Sequence, residues 1–291
     1  MRQIDLHTHS TASDGTDTPA DLVRRAHEAG LAALALTDHD TLSGLAEAAE
    51  TARGLGLECI RGLELAVSSP YGEVHLLGLW LPEATPILDK ALQGIRRKRS
   101  ERNREIVAKL KTAGYDISYD DVLEVAKGES VGRPHIAAVL VNKGYAATLK
   151  EIFATLLGDN GPMYVPRSMP TPEEGLALLQ AEGATTAMAH PMLLKAPHTW
   201  LKAFVGRLAA LGLDALEAYH SDQDDAATRR CLALADQHSL ALCGGSDYHG
   251  ASKPAIRLGR GRGNIRVPYE ILEKLLARRK TKGLPLPSTN R

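Results

Sequence analysis

Short apolar runs alternate with amphipathic helical patterns along this chain of 291 residues, and that alternation limits its fold more than any other feature. "IDLH", "LAALALT", "LECIRGLEL", "EVHLLGLWL", "TTAMAH", "LDALEAY" and "LALCGGSD" read as seven strands. "TPADLVRRAHEAG" reads as the helix after the first of them. Thr18 can cap it, Pro19 suits its first position, and Leu22, Val23, Ala26 and Ala29 form an apolar stripe. A second helix is expected over residues 42–53. "TPEEGLALLQAEG", "HTWLKAFVGRLAALG" and "DDAATRRCLALADQHS" read as three more. This rhythm favours a parallel α/β sheet, open or closed into a barrel. Residues 86–166 break it, offering helices but no clear strand. They read as a helical insertion in a discontinuous domain formed by residues 1–85 and 167–291. "KTKGLPLPSTNR" reads as a loosely attached tail.

The strands share a second feature. Most run into a metal-competent side chain at or near the C-terminal end: His7 and His9, then Asp38 and His39, then Glu64. His190 ends the fifth, the sixth gives Glu217 and then His220, and the last gives Asp247 and His249. His75 is the exception, lying near the start of the fourth. In β/α barrels the C-terminal mouth gathers such residues from distant parts of the chain. A strand period of two also puts His7 and His9 on one face, as chelation needs. Taken alone, "DHD" reads as a turn with Asp40 capping the next helix. His27, His198 and His238 fall within helical patterns and carry no such signal.

A donor set of imidazoles and carboxylates without thiolate suits zinc, manganese or iron. Cys59, Cys231 and Cys243 are scattered and lack zinc-finger spacing. Several carboxylates among so many donors imply more than one ion, with Glu64 a candidate bridge. Clustered divalent ions suit hydrolysis at phosphorus. Formal net charge is zero, so no global field draws the chain to nucleic acid or anionic lipid. No apolar run approaches the ~18 residues of a membrane span, and no leader-like segment precedes Ile4. A cytoplasmic protein with no membrane contact and no protein partner is expected.

"DLHTHSTASDGT", "ALTDHDTLSG", "GLELAV", "VHLLGLW", "AHP" and "GGSDYHG" together resemble the PHP (polymerase and histidinol phosphatase) family. The resemblance implies a distorted seven-stranded β/α barrel with two or three divalent ions, Mn2+ foremost and Fe2+ or Zn2+ as alternatives. It implies a first site of His7, His9, Glu64 and Asp247, and a second of Glu64, His75 and His190. The third would be Asp14, His39 and His249. Histidinol-phosphate-cleaving members often carry histidine where this chain has Asp14, which argues against that substrate. Asp14 and His220 are the candidate catalytic side chains, and Asp5 and Asp38 are expected to orient ligands from behind.

"RRKRSERN" followed by "VGRPHIA" in the insertion resembles a branch of the family, which implies removal of the 3′-phosphate from nucleoside 3′,5′-bisphosphates such as pAp, with relatives that trim short 5′-phosphorylated RNA from its 5′ end. The residues bear on this independently. In "LDKALQGIRRKRSERNREIVAKL" the stripe of Leu88, Leu92, Ile95, Ile106 and Leu110 passes through Arg99 and Arg102. An arginine on a buried face needs a partner, either an internal carboxylate or an anionic ligand. Arg96, Arg97, Lys98 and Arg104 read as a solvated face. Arg133 and His135 flank Pro134 at a helix start, a second candidate phosphate contact. "IRLGRGRGN" reads as a mobile surface loop. Two rivals remain: an amidohydrolase-type C–N hydrolase, which needs no arginine cluster, and a metal-stabilised binding module without turnover.

Overall fold

The computed structural model describes residues 2–158 and 161–286. The first helices and strands follow the expected rhythm: β1 (Gln3–Thr8), α1 (Pro19–Glu28), β2 (Leu31–Leu36), α2 (Leu45–Leu55), β3 (Glu58–Ser69) and β4 (Gly72–Leu79). The chain then runs through α3 (Pro86–Thr112), α4 (Tyr119–Val125), α5 (Arg133–Asn142), α6 (Leu149–Ile152) and α7 (Pro172–Ala181). It closes with β5 (Thr185–Met188), α8 (His198–Ala210), β6 (Ala215–His220), α9 (Asp225–Gln237), β7 (Ala241–Gly245), β8 (Val267–Pro268) and α10 (Tyr269–Thr281). No strand occurs between β4 and β5 among the described residues.

The local chemistry explains the boundaries. The Thr18 hydroxyl accepts from the amide of Asp21 and Pro19 opens α1. Thr171 and Glu174 form a capping box on α7. The second helix begins at Leu45, later than expected, because Asp40 does not cap it. Asp40 takes a left-handed backbone (φ 53°) and turns its carboxylate to the arginines of the β4–β5 connection. The expected seven strands are present, with the two-residue β8 pairing antiparallel to β1 as an eighth.

The eight strands form one sheet in the order β7-β6-β5-β4-β3-β2-β1-β8. It curls until β1 meets the segment leaving β7. There the amide of Asp247 donates to His7 O at 2.9 Å and the amide of His9 to Tyr248 O at 2.9 Å. The sheet is thus a nearly closed barrel, but not wholly parallel. β4 runs antiparallel to both β3 and β5. That reversal explains the misfit position of His75: the start of β4 lies at the mouth where its neighbours end. An apolar cluster takes residues from every one of β1–β7 and is completed by Ile271, Leu272 and Leu275 of α10, a helix not anticipated from the sequence. A second apolar layer joins β3–β6 to α3, α7, α8 and α9.

α3 has 27 residues, so at about 1.5 Å per residue it is about 40 Å long. A six-residue strand such as β1 spans about 20 Å. The helix therefore starts level with the end of β4, climbs the barrel wall and continues past the mouth. Its midpoint, near Arg99, arrives at the rim. Beyond that point its apolar face packs with α4, α5 and α6 into a cluster of their own around Ile106, Leu110, Val122, Ile136 and Leu140. No described helix is long and apolar enough to cross a membrane.

Candidate metal and anion site

Glu64 sits at the centre of the mouth, fully buried. Its Oε2 lies 3.2 Å from His7 Nε2, 3.2 Å from His9 Nε2 and 3.0 Å from His39 Nδ1. Its Oε1 faces the other way, 2.7 Å from His75 Nδ1 and 3.1 Å from His190 Nε2. Glu64 and His75 are diagonal neighbours across the β3–β4 ladder, where Ala66 is paired with His75. Asp247 Oδ1 stands 3.3 Å from His9 Nε2 and 3.7 Å from His7 Nε2. Asp14 lies 3.3 Å from His249 Nε2 and 3.9 Å from both His9 Nδ1 and His39 Nε2.

All nine expected metal positions thus converge, in overlapping groups spaced for chelation. One difference from the expected partition concerns His9, whose second nitrogen also faces the Asp14, His39 and His249 group. Buried His7 Nε2, both His9 ring nitrogens, His39 Nδ1 and Glu64 Oε2 have no hydrogen-bond partner among the described residues. Buried polar atoms left open in this number are costly unless something else binds them. The nitrogen and oxygen donors suit divalent metal ions, so the residues present fit the expected group.

The field is consistent with that. Burial opposes a charged His9, but Asp247 and Glu64 outweigh it and push its pKa up to about 9. Burial likewise opposes a charged His75, and Glu64 and Glu73 push it up to about 10. Burial drives His39 down to about 3. Glu64 is held well below the carboxylate range, its burial outweighed by His39, His7 and His75. Without a cation, protons take the place of metal on some of these nitrogens.

The ring tautomers are set from behind. His7 Nδ1 donates to Glu217 Oε1 at 2.9 Å, which leaves its Nε2 lone pair facing the centre. The other oxygen of Glu217 accepts the amide of His190 at 2.8 Å, pinning a left-handed residue (φ 31°). His190, Asp40 and Asp247 are three of the five non-glycine residues with positive φ among the described residues, a concentration of backbone strain expected of functional sites. His220 ends β6 rather than following it, and it is fully buried. Its Nδ1 accepts the amide of Asp222 at 3.1 Å, so a neutral ring carries its proton on Nε2, 3.4 Å from Asp247 Oδ2. Asp38 accepts from the amide and hydroxyl of Ser10 and from Ser13, bracing the loop between His9 and Asp14. Asp5 accepts the amides of Ser246 and Gly259 at 2.8 Å each. The Gly/Arg-rich stretch is therefore not a mobile loop: Leu258, Gly259 and Gly261 are buried against the barrel.

Beside the carboxylate centre lies an arginine cluster. Arg99 forms a short ion pair with Asp40, and Arg167 reaches Asp40 at 3.2 Å and Glu73 at 3.0 Å. Arg96, expected in solvent, is half-buried and donates to Asp40 O at 2.9 Å. Arg102 is buried, yet its guanidinium has no hydrogen-bond or ion-pair partner among the described residues. Burial, then Arg99, Arg133 and Arg167, disfavours its charge. Arg133 donates to Leu157 O at 3.1 Å, and His135 Nδ1 accepts the amide of Gly132 at the start of α5.

Arg167, Glu73, Glu217 and Lys253, which meets Asp247 at 2.6 Å, were not assigned to the site from sequence. Arg167 and Lys253 lie in irregular segments where no periodicity points inward. Glu217 is among the residues the strand pattern singles out, but the pattern alone assigns it no role; it lies within β6, three residues before His220.

A barrel whose mouth is lined by convergent histidines and carboxylates defines a class of metal-binding hydrolytic scaffolds. This chain belongs to the PHP family, whose domain model matches residues 5–164. It is 35% identical over 258 residues to the 5′-3′ exoribonuclease Rnm of Salmonella typhimurium, covering 88% of each chain. It is 33% identical to the 3′,5′-nucleoside bisphosphate phosphatase of Chromobacterium violaceum, over 86% of this chain and 88% of that one. A crystal structure from Bifidobacterium adolescentis, provisionally designated a metal-dependent phosphoesterase, superposes with a TM-score of 0.85 at 30% identity, covering 100% of this chain and 99% of that one.

Proposed function

We propose that this protein is a divalent-metal-dependent phosphoesterase that removes the 3′-phosphate from nucleoside 3′,5′-bisphosphates, pAp to AMP and phosphate. The observation that carries the reading is Arg102, buried and without a hydrogen-bond or ion-pair partner among the described residues, beside a carboxylate centre with unbound imidazole nitrogens. An anion that bridges the two regions satisfies both. The names of the relatives support the same substrate class and add 5′-to-3′ exoribonuclease action; in this reading the RNA is short and 5′-phosphorylated.

In this reading His7, His9, Glu64 and Asp247 hold one ion and Glu64, His75 and His190 a second. Asp14, His39 and His249 hold a third, and Mn2+ is the favoured metal. Such ions supply polarisation of the phosphoryl oxygens and acidification of water. Arg99, Arg102, Arg133 and His135 bind the 5′-phosphate through charge-assisted hydrogen bonds, so that the 3′-phosphorus is carried to the centre. His220 holds a proton at Nε2 for the departing 3′ oxygen. Glu217 keeps His7 in the donor tautomer. Residues 86–166 act as a cap that excludes water from the phosphate. An amidohydrolase reading leaves the arginine cluster without a purpose, and a non-catalytic module leaves both.

Phosphate release from pAp with Mn2+ tests this against 3′-AMP, which lacks the 5′-phosphate. The 5′-phosphate contacts are worth about 10- to 100-fold in kcat/KM. Equal turnover of the two substrates, or none of either, would sink the proposal.

A further inference from the structure

Next to the centre is a cavity of about 590 Å3 to which the proposed reaction assigns no part of the bisphosphate. Clefts that hold nucleotide-sized ligands run from about 300 to 1,000 Å3. One wall is formed by His75 and His190, the two imidazoles on the Oε1 side of Glu64. The arginines lie elsewhere: Arg99 and Arg167 meet at Asp40, next to His39 on the Oε2 side. Glu73 stands between, tied to Arg167 at 3.0 Å and to His75 at 3.1 Å, and lines the cavity. The arginine cluster therefore draws the 5′-phosphate, which leaves the cavity for another part of the substrate.

The rest of the lining suits a base and a different phosphate. Val74, Met188 and Leu194 are apolar, and Leu193 is 41% exposed. Tyr71, at the tip of the β3–β4 turn, is 40% exposed and is held edge-on by Trp200 at 4.8 Å between centroids. Trp200 in turn stacks on Phe204 at 4.7 Å. An exposed ring anchored in this way is a stacking platform. Lys195 is the one lysine or arginine in the lining.

We propose that this cavity is the subsite for the second nucleotide of a 5′-phosphorylated RNA, its base stacked on Tyr71 and its 3′-phosphate met by Lys195. The inference rests on the phosphoesterase reading and deepens it. Water adds to the bridging phosphorus, the bond from that phosphorus to O3′ of the first nucleotide breaks, and O3′ takes a proton. The second nucleotide leaves carrying the phosphate as its new 5′ end, the group the arginines select.

Wild type, Tyr71→Ala, Tyr71→Phe and Lys195→Ala are compared on pAp and on the 5′-phosphorylated trinucleotide pApApA, with Mn2+. Tyr71→Ala is expected to lower the ratio of kcat/KM for trinucleotide over pAp about tenfold, mainly through KM. Lys195→Ala lowers the ratio in the same direction, and Tyr71→Phe, which keeps the ring, restores it. Equal losses on both substrates would place the first nucleotide in the cavity and overturn the proposal, as would an unchanged ratio. A wild type active on pAp but inert on the trinucleotide overturns it alone, whereas one inert on both overturns the phosphoesterase reading as well.

Discussion

A buried charge without a partner is held in place by the rest of the fold, at a cost to stability. Arg102 is 7% exposed and faces three other guanidiniums. Arg102→Met keeps the bulk and removes the charge. It is expected to raise the melting temperature by about 2–4 °C while lowering kcat/KM for pAp about 10- to 100-fold. Thermal melts and phosphate release on the same preparation check the pair, and a fall in both would mark Arg102 as structural. Helical period alone put Arg99 and Arg102 on the buried face, and the structure has both there. The same reasoning failed for Arg96, because the stripe broadens where α3 passes the rim and Asp40 O reaches across to it. Arg167 was out of reach altogether, since a residue in a loop has no period to betray its direction.

Strands show the same mixture. Their existence and their polar ends were legible because burial selects apolar runs and function interrupts them at one end. The direction of β4 was not, because an apolar run looks alike read either way. The one clue was His75, on the wrong end for a parallel strand. Closure of the barrel also left little trace beyond "GGSD". Its reason is steric: a Cβ on Gly245 would lie 2.4 Å from both N and Cβ of His7. Gly245→Ala is expected to push β7 from β1, destabilise the fold by about 1–3 kcal/mol and reduce bound metal. Gly54→Ala on α2, where a Cβ meets nothing within 4 Å, is the matched control. Melting and metal analysis that leave the two variants alike would show that the close approach is not needed.

For the molecule as a whole, protons and metal compete for one set of nitrogens. In the metal-free protein His9 and His75 titrate near 9 and 10, above the ordinary histidine value. Their protonation therefore stabilises the metal-free fold fully below the unfolded value of about 6.5, and that contribution is lost as pH rises through 9 and 10. Metal affinity has the opposite trend, weakening as pH falls. Burial opposes a charged His7 too, yet Glu217 and Glu64 raise it well above the ordinary value, so Mn2+ uptake at pH 7 should release about three protons. Calorimetry in two buffers of different ionisation enthalpy measures this, and a heat independent of buffer would contradict it.

The reversed strand has one more consequence. Between neighbouring parallel strands the chain must travel back down the barrel, which needs a crossover. β3 and β4 need none, and in the turn over residues 69–72 the Ser69 hydroxyl donates to the Gly72 carbonyl at 2.8 Å and accepts the amide of Tyr71 at 3.1 Å. Loop length is free to drift there without re-threading the fold. With the second nucleotide seated in the cavity beside it, lengthening or trimming this one hairpin is expected to change which oligonucleotides this barrel accepts while the metal-facing side chains stay in place.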